Sequence, residues 1–116
     1  MTIERHQVGT RMSQAVVHGP TVYLAGQVGD TPEAGVRQQT EEVLRKVDGL
    51  LAAAGSDKSK LLSATVWISD MRHFAEMNTV WDAWVAPGDT PGRACVEARL
   101  AAPHWKVEIA VVAARD

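Results

Sequence analysis

Short apolar runs and two stretches of helical spacing divide the chain. Residues 12 to 18 and 21 to 28 are apolar runs on either side of His18-Gly19-Pro20-Thr21, which predicts a β-hairpin. Gly26 inside the second run marks either a bulge or a place where another group approaches the backbone closely. Asp30-Thr31-Pro32-Glu33 reads as a turn and helix start, with proline near the first helical position. From there Val36, Thr40, Val43, Leu44, Val47, Leu50, Leu51 and Ala54 fall on one face of a helix that Gly55 ends. Asp48-Gly49 would signal a hairpin elsewhere, but helical periodicity on both sides outweighs it.

The segment Leu61-Leu62-Ser63-Ala64-Thr65-Val66-Trp67-Ile68 is rich in β-branched and aromatic residues and predicts a strand. Asp70 is placed to cap a second helix with an apolar stripe of Phe74, Met77, Trp81, Trp84 and Val85, closed by Pro87-Gly88. Pro91-Gly92 then lets the chain enter a strand whose first residue is Arg93, and Val107 to Ala113 forms the last strand. With a short extra strand at residues 2 to 6, the layout is an α+β sheet with two helices on one face. The other face stays apolar: Leu61, Trp67, Ala110 and Val112 have the parity opposite to Leu62, Val66, Ile109 and Val111. A symmetric homo-oligomer whose sheets pack together is the expected cover.

Composition narrows the functional classes. At 116 residues the chain is expected to form one domain, 1–116. A formal charge of -2 and the lack of any Lys/Arg run argue against a nucleic-acid partner. One cysteine makes no internal disulfide, the start Met1-Thr2-Ile3-Glu4-Arg5-His6 has no apolar signal region, and no apolar run spans a bilayer. The expectation is a soluble, cytoplasmic protein without a membrane partner.

Two charged residues stand where buried strands have apolar ones. Arg93 lies at a strand rim, where a guanidinium backed by fixed main chain suits bidentate capture of a carboxylate. Glu108 sits between Val107 and Ile109, where a carboxylate needs a partner or an altered proton affinity. Together they suggest a pocket. Cys95 fits a small buried hydrophobe better than a nucleophile. His6, His18, His73 and His104 have no spacing that builds a metal site, and Trp81 and Trp84 at helical spacing read as core. No Ser-His-Asp or Cys-His arrangement stands out, and no Gly-rich loop suggests phosphate binding.

Four segments carry a resemblance. Tyr23-Leu24-Ala25-Gly26-Gln27-Val28, Ser69-Asp70-Met71-Arg72-His73-Phe74-Ala75-Glu76-Met77-Asn78, Pro91-Gly92-Arg93-Ala94-Cys95-Val96-Glu97 and Val107-Glu108-Ile109 together resemble the Rid (reactive intermediate deaminase), or YjgF/L-PSP, family over nearly the whole chain. The resemblance implies a chorismate-mutase-like mixed sheet, a homotrimer with a pocket at each subunit interface, and no metal or organic cofactor. It implies hydrolysis of reactive 2-imino or 2-enamino acids to 2-oxo acids and ammonia. Arg93 would bind the substrate carboxylate, main chain around Cys95 and Gly26 would contact the imine end, and Glu108 would position or deprotonate water.

The chain departs from the family at Thr10-Arg11-Met12-Ser13-Gln14, where members carry a Gly-Pro-Tyr-x-Gln-like stretch. Met12 replaces the tyrosine and Arg11 adds a positive charge beside the expected substrate site, while Ala25 replaces a Ser or Thr before Gly26. The alternative is therefore a non-catalytic trimer of the same fold that binds carboxylate metabolites. Ribonuclease activity, carried by one family label, fits the acidic balance poorly.

Overall fold

The long periodic stretch forms the central helix, and all eight of its stripe positions are buried. A computed structural model describing residues 1–116 places β1 at Ile3–Val8, β2 at Ser13–His18, β3 at Thr21–Leu24, α1 at Val36–Ala53, β4 at Leu61–Ile68, α2 at Phe74–Trp84, β5 at Gly92–Glu97 and β6 at Val107–Ala114. Helix α1 ends in a Schellman motif: the Gly55 N–H donates to Ala52 O and the Ser56 N–H to Leu51 O, with Gly55 at φ +81°. Its start differs from expectation. Gly35 is the N-cap, and Pro32 lies in a turn ahead of the helix.

Six strands form one mixed sheet in the order β1-β2-β3-β6-β4-β5. Strands β3 and β4 both run antiparallel to β6, and β4 runs parallel to β5. Thus β3, β4 and β5 point the same way and advance across the sheet in one direction. Right-handed crossovers then put α1 and α2 on the same face. That topology is why one face is covered and the other bare.

A core cluster of 22 buried residues lies between sheet and helices. In β6, Val107, Ile109, Val111 and Ala113 point into it, and Glu108, Ala110 and Val112 point away. On β4 the core positions are Leu61, Ala64, Val66 and Ile68. Leu61 and Leu62 therefore exchange the faces expected from simple alternation. A register shift between Leu61 and Ser63 is the cause, because a bulge inverts parity on one side of it. Leu62, 53% exposed, joins Tyr23 and Val96 on the uncovered face. On α2 the buried residues are Met77, Val80 and Trp81, with Trp84 and Val85 partly buried; Phe74 is exposed. A 3-10 turn at Met71–His73 separates the Asp70 cap from the helix proper, so the stripe starts one turn later.

Three polar residues are buried within α1: Thr40, whose hydroxyl donates to Val36 O one turn back, and Gln39 and Glu42, which reach outside the helix. Gln39 Nε2 donates to Ala34 O (3.1 Å) and His104 O (3.0 Å), and Gln39 Oε1 accepts from the Lys106 N–H (2.8 Å). Glu42 accepts from the Asp30 and Thr31 N–H groups, Thr31 Oγ1 and Gln38 Nε2. These bonds fasten the loops before α1 and before β6 to the helix.

Candidate functional site

Register decides which side chains meet. Arg93 pairs with Ala64 and Cys95 with Val66, so both lie on the helix-covered side of β5, an edge strand. Glu108 pairs with Trp67 and lies on the bare side. Within one chain, the two residues expected to share a pocket therefore sit on opposite faces of the sheet. Arg93 is the second residue of its strand rather than the first, because Gly92 already pairs with Ser63. None of the three cavities in the chain is lined by Arg93, Glu108, Cys95, Gly26, Met12 or Arg11.

The surroundings of Arg93 are unusual for a half-buried cation. Its guanidinium carbon stands 5.1 Å from the centre of the Trp81 ring, a cation–π contact. Its Nη1 is buried and makes no hydrogen bond, and it has no ion-pair partner. Asn78 Oδ1, on the same helix as Trp81, is likewise buried and unpaired. The spacing of Trp81 marks it as core, and it also forms the platform on which Arg93 rests. Burial raises the Cys95 thiol above its ordinary value, and the Arg93 charge only partly opposes this. A thiol held protonated is a poor nucleophile.

Glu108 and Gly26 come together. A Cβ built on Gly26 would lie 2.1 Å from Glu108 Oε2, so only glycine lets the carboxylate rest against the backbone here. Of the two readings of Gly26, the close approach is the observed one. The Gln27 N–H donates to Ile109 O and the Ile109 N–H to Gln27 O, which holds this segment beside β6. Glu108 itself has no hydrogen-bond or ion-pair partner in the chain. Arg11 and Met12 occupy the exposed turn between β1 and β2, with Met12 51% exposed and the Gly9 N–H donating to Met12 O. No group of three or more His, Cys, Asp or Glu side chains is placed to hold a metal ion, and no helix is long and apolar enough to cross a membrane.

Comparison with known proteins decides the family. The family profile described as "Endoribonuclease L-PSP" matches residues 2–115. The chain belongs to the YjgF/L-PSP family. A "RutC family protein" from Haemophilus influenzae is 46% identical over 97% of this chain and 98% of its own length. The crystal structure of a YjgF-family protein from Neisseria meningitidis is 46% identical and superposes with a TM-score of 0.97, covering 100% of this chain and 97% of that one. A more distant relative, "Reactive Intermediate Deaminase A, chloroplastic" from Arabidopsis thaliana, is 30% identical over 87% of this chain and 57% of its own length. The six-stranded mixed sheet with two helices on one face is thus the fold of the YjgF family.

Proposed function

We propose that the protein hydrolyses reactive 2-imino and 2-enamino acids to 2-oxo acids and ammonia, as a homotrimer with its sites between subunits. One observation carries the reading: a half-buried guanidinium on an edge strand, stacked on Trp81, with a buried Nη1 that nothing in the chain satisfies. An unpaired buried donor on a cation costs free energy, and a carboxylate arriving from outside offsets it. The name of the Arabidopsis relative points to the same chemistry.

The opposed placement of Arg93 and Glu108 supports a site completed by a second copy. The bare face exposes Tyr23, Leu62 and Val96, and an apolar sheet face of this kind suits packing against its own symmetry mate. In that assembly Arg93 of one copy grips the substrate carboxylate, and Glu108 of the next, lying on Gly26, faces the imine carbon. Main-chain groups at Cys95 and Gly26 contact the nitrogen end, and Arg11 and Met12 lie at the rim.

Water adds to the protonated imine carbon while Glu108 takes its proton. The new C–O bond gives a tetrahedral amino alcohol. Glu108 returns the proton to nitrogen, and as the C–N bond breaks and the C=O bond forms the hydroxyl proton passes to Glu108 and from it to the departing ammonia, leaving the 2-oxo acid, an ammonium ion and a free carboxylate. An iminium carbon is already electrophilic, so holding it beside one base suffices, and such a base contributes roughly 10²- to 10⁴-fold.

The test is the decay of 2-iminopropanoate generated in situ. The parent protein is expected to accelerate it, and Arg93→Ala to lower kcat/KM by about 10²-fold or more. Saturable binding of 2-oxo acids without acceleration for several imino acids would establish the binding-only alternative, which Met12 and Ala25 favour by supplying no hydroxyl. Sedimentation as a folded monomer at micromolar concentration would defeat the trimer.

A further inference from the structure

A second cleft, of about 490 Å³, lies on the α1 side of the sheet, lined by Gln7, Gln14, Gln27, Lys46, Gly49 and Leu50. Its walls are dominated by side-chain amides. Gln27 is only 7% exposed, and its Nε2 donates both hydrogens, to Gln14 Oε1 (2.8 Å) and Ala25 O (3.0 Å). Because the Ala25 carbonyl can only accept, these bonds fix the orientation of both amides. Gln27 Oε1 and Gln14 Nε2 are left without partners in the chain, one an acceptor and the other a donor.

Charge narrows the ligand class. The sole cation in the lining, Lys46, is already engaged: its Nζ donates to Val28 O (2.9 Å) and pairs with Asp30 (2.8 Å). An anion finds no free cation here and meets the bare Gln27 carbonyl oxygen. A neutral group carrying both N–H and C=O matches the two free amide ends.

Two unusual backbone positions border the cleft. Gly49 sits inside α1, where glycine is the poorest helix former after proline, yet a Cβ built there meets nothing within 4 Å. No packing demand on that atom explains the glycine, which is exposed at the edge of the cleft. Gln7 has φ +50°, a left-handed conformation that is costly for a residue with a side chain, and it borders the same space.

We infer that this cleft is a second ligand site, for a small neutral molecule bearing an amide, lactam or ureido group. The ligand N–H donates to Gln27 Oε1, its carbonyl accepts from Gln14 Nε2, and its apolar part lies over Gly49 and Leu50. The site lies on the α1 side, whereas the Glu108 carboxylate faces the other side of the sheet, so it stands or falls apart from the imine chemistry.

The experiment follows the side-chain amide resonances of Gln14 and Gln27 in the ¹⁵N-labelled full chain during titration with 2-pyrrolidinone. Cyclopentanone, a ring of the same size without the N–H, is the comparison probe. Saturable shifts at both amides are expected with the lactam, with affinity at least about tenfold weaker for the ketone. Gly49→Leu, which improves helix propensity while adding a side chain at the edge of the cleft, is expected to weaken lactam binding at least about tenfold. Gln14→Met, which keeps side-chain length but removes the donor, is expected to do the same. Absence of saturable shifts in the parent overturns the assignment, as does equal binding of ketone and lactam or unchanged affinity in both variants.

Discussion

The two ends of the helical layer treat buried polar groups in opposite ways. Around α1, Gln39 and Glu42 are buried and their polar atoms are engaged by the flanking loops. Around α2 and β5, Arg93 Nη1 and Asn78 Oδ1 are buried and paired with nothing. The first arrangement is what a polar core residue needs for stability. The second leaves hydrogen-bonding capacity that the fold itself does not use, and capacity of that kind suits a partner from outside. Polar burial alone therefore does not mark a functional residue; unsatisfied polar burial is the sharper sign.

That contrast breaks if activity and stability do not separate along it. The largest effect is expected at the carboxylate on Gly26: Glu108→Gln should lower kcat/KM for imine hydrolysis by about 10²- to 10⁴-fold. Its urea midpoint should stay near the parent's, because Glu108 makes no hydrogen bond or ion pair within the chain and the amide fills the same space against Gly26. A large loss of stability with modest loss of rate would place Glu108 in the structural class. The converse is expected at Gln39→Leu, which leaves the Lys106 N–H and the His104 carbonyl unpaired and the Ala34 carbonyl with the Lys106 Nζ alone. Urea denaturation should show a loss of roughly 2–4 kcal/mol, and the folded fraction should retain activity.

Acid sharpens the comparison further. Hydrogen bonds from Thr31, the Asp30 and Thr31 N–H groups and Gln38 hold the Glu42 carboxyl down at about 2, against an ordinary value of 4.5. Between those values the unfolded chain binds the proton and the folded chain does not, so this contribution is complete above about 4.5 and is lost as pH falls toward 2. In Glu42→Gln the fall in the urea midpoint between pH 5 and pH 3 should be smaller than in the parent. An equal fall would show that Glu42 is not the group responsible. The smallest effect is expected at the α1 terminus, where Gly55→Ala, at φ +81°, should cost about 1 kcal/mol and leave the rate untouched.

Local spacing made much of this legible in the sequence. The α1 stripe, its end at Gly55 and the Gly19-Pro20 turn depend on neighbours a few residues apart, and all three are where periodicity and turn chemistry put them. The misplacements arise where distant segments decide. Pairing of β4 with β6 introduces the bulge that exchanges Leu61 and Leu62, and the 3-10 turn after Asp70 shifts the α2 stripe away from Phe74. Pairing of β4 with β5 sends Arg93 toward the helices while Glu108 points the other way. Neither residue's own neighbourhood in the sequence contains that information. The polar roles of Gln39 and Glu42 escaped as well, since both lie beside an apolar stripe and their partners come from loops. The stretch Gly26-Gln27 did carry a signal: a glycine in a strand run asks what lies against it, and the answer is Glu108.

The contact between Gly26 and Glu108 also constrains how the chain can evolve. With the carboxylate where it lies, a side chain at position 26 collides with it, so substitution there requires Glu108 to swing off the backbone or to be lost. The two positions are therefore coupled. Homologues that carry a larger residue at the first are expected to have lost the acid at the second or to hold it turned away from the backbone.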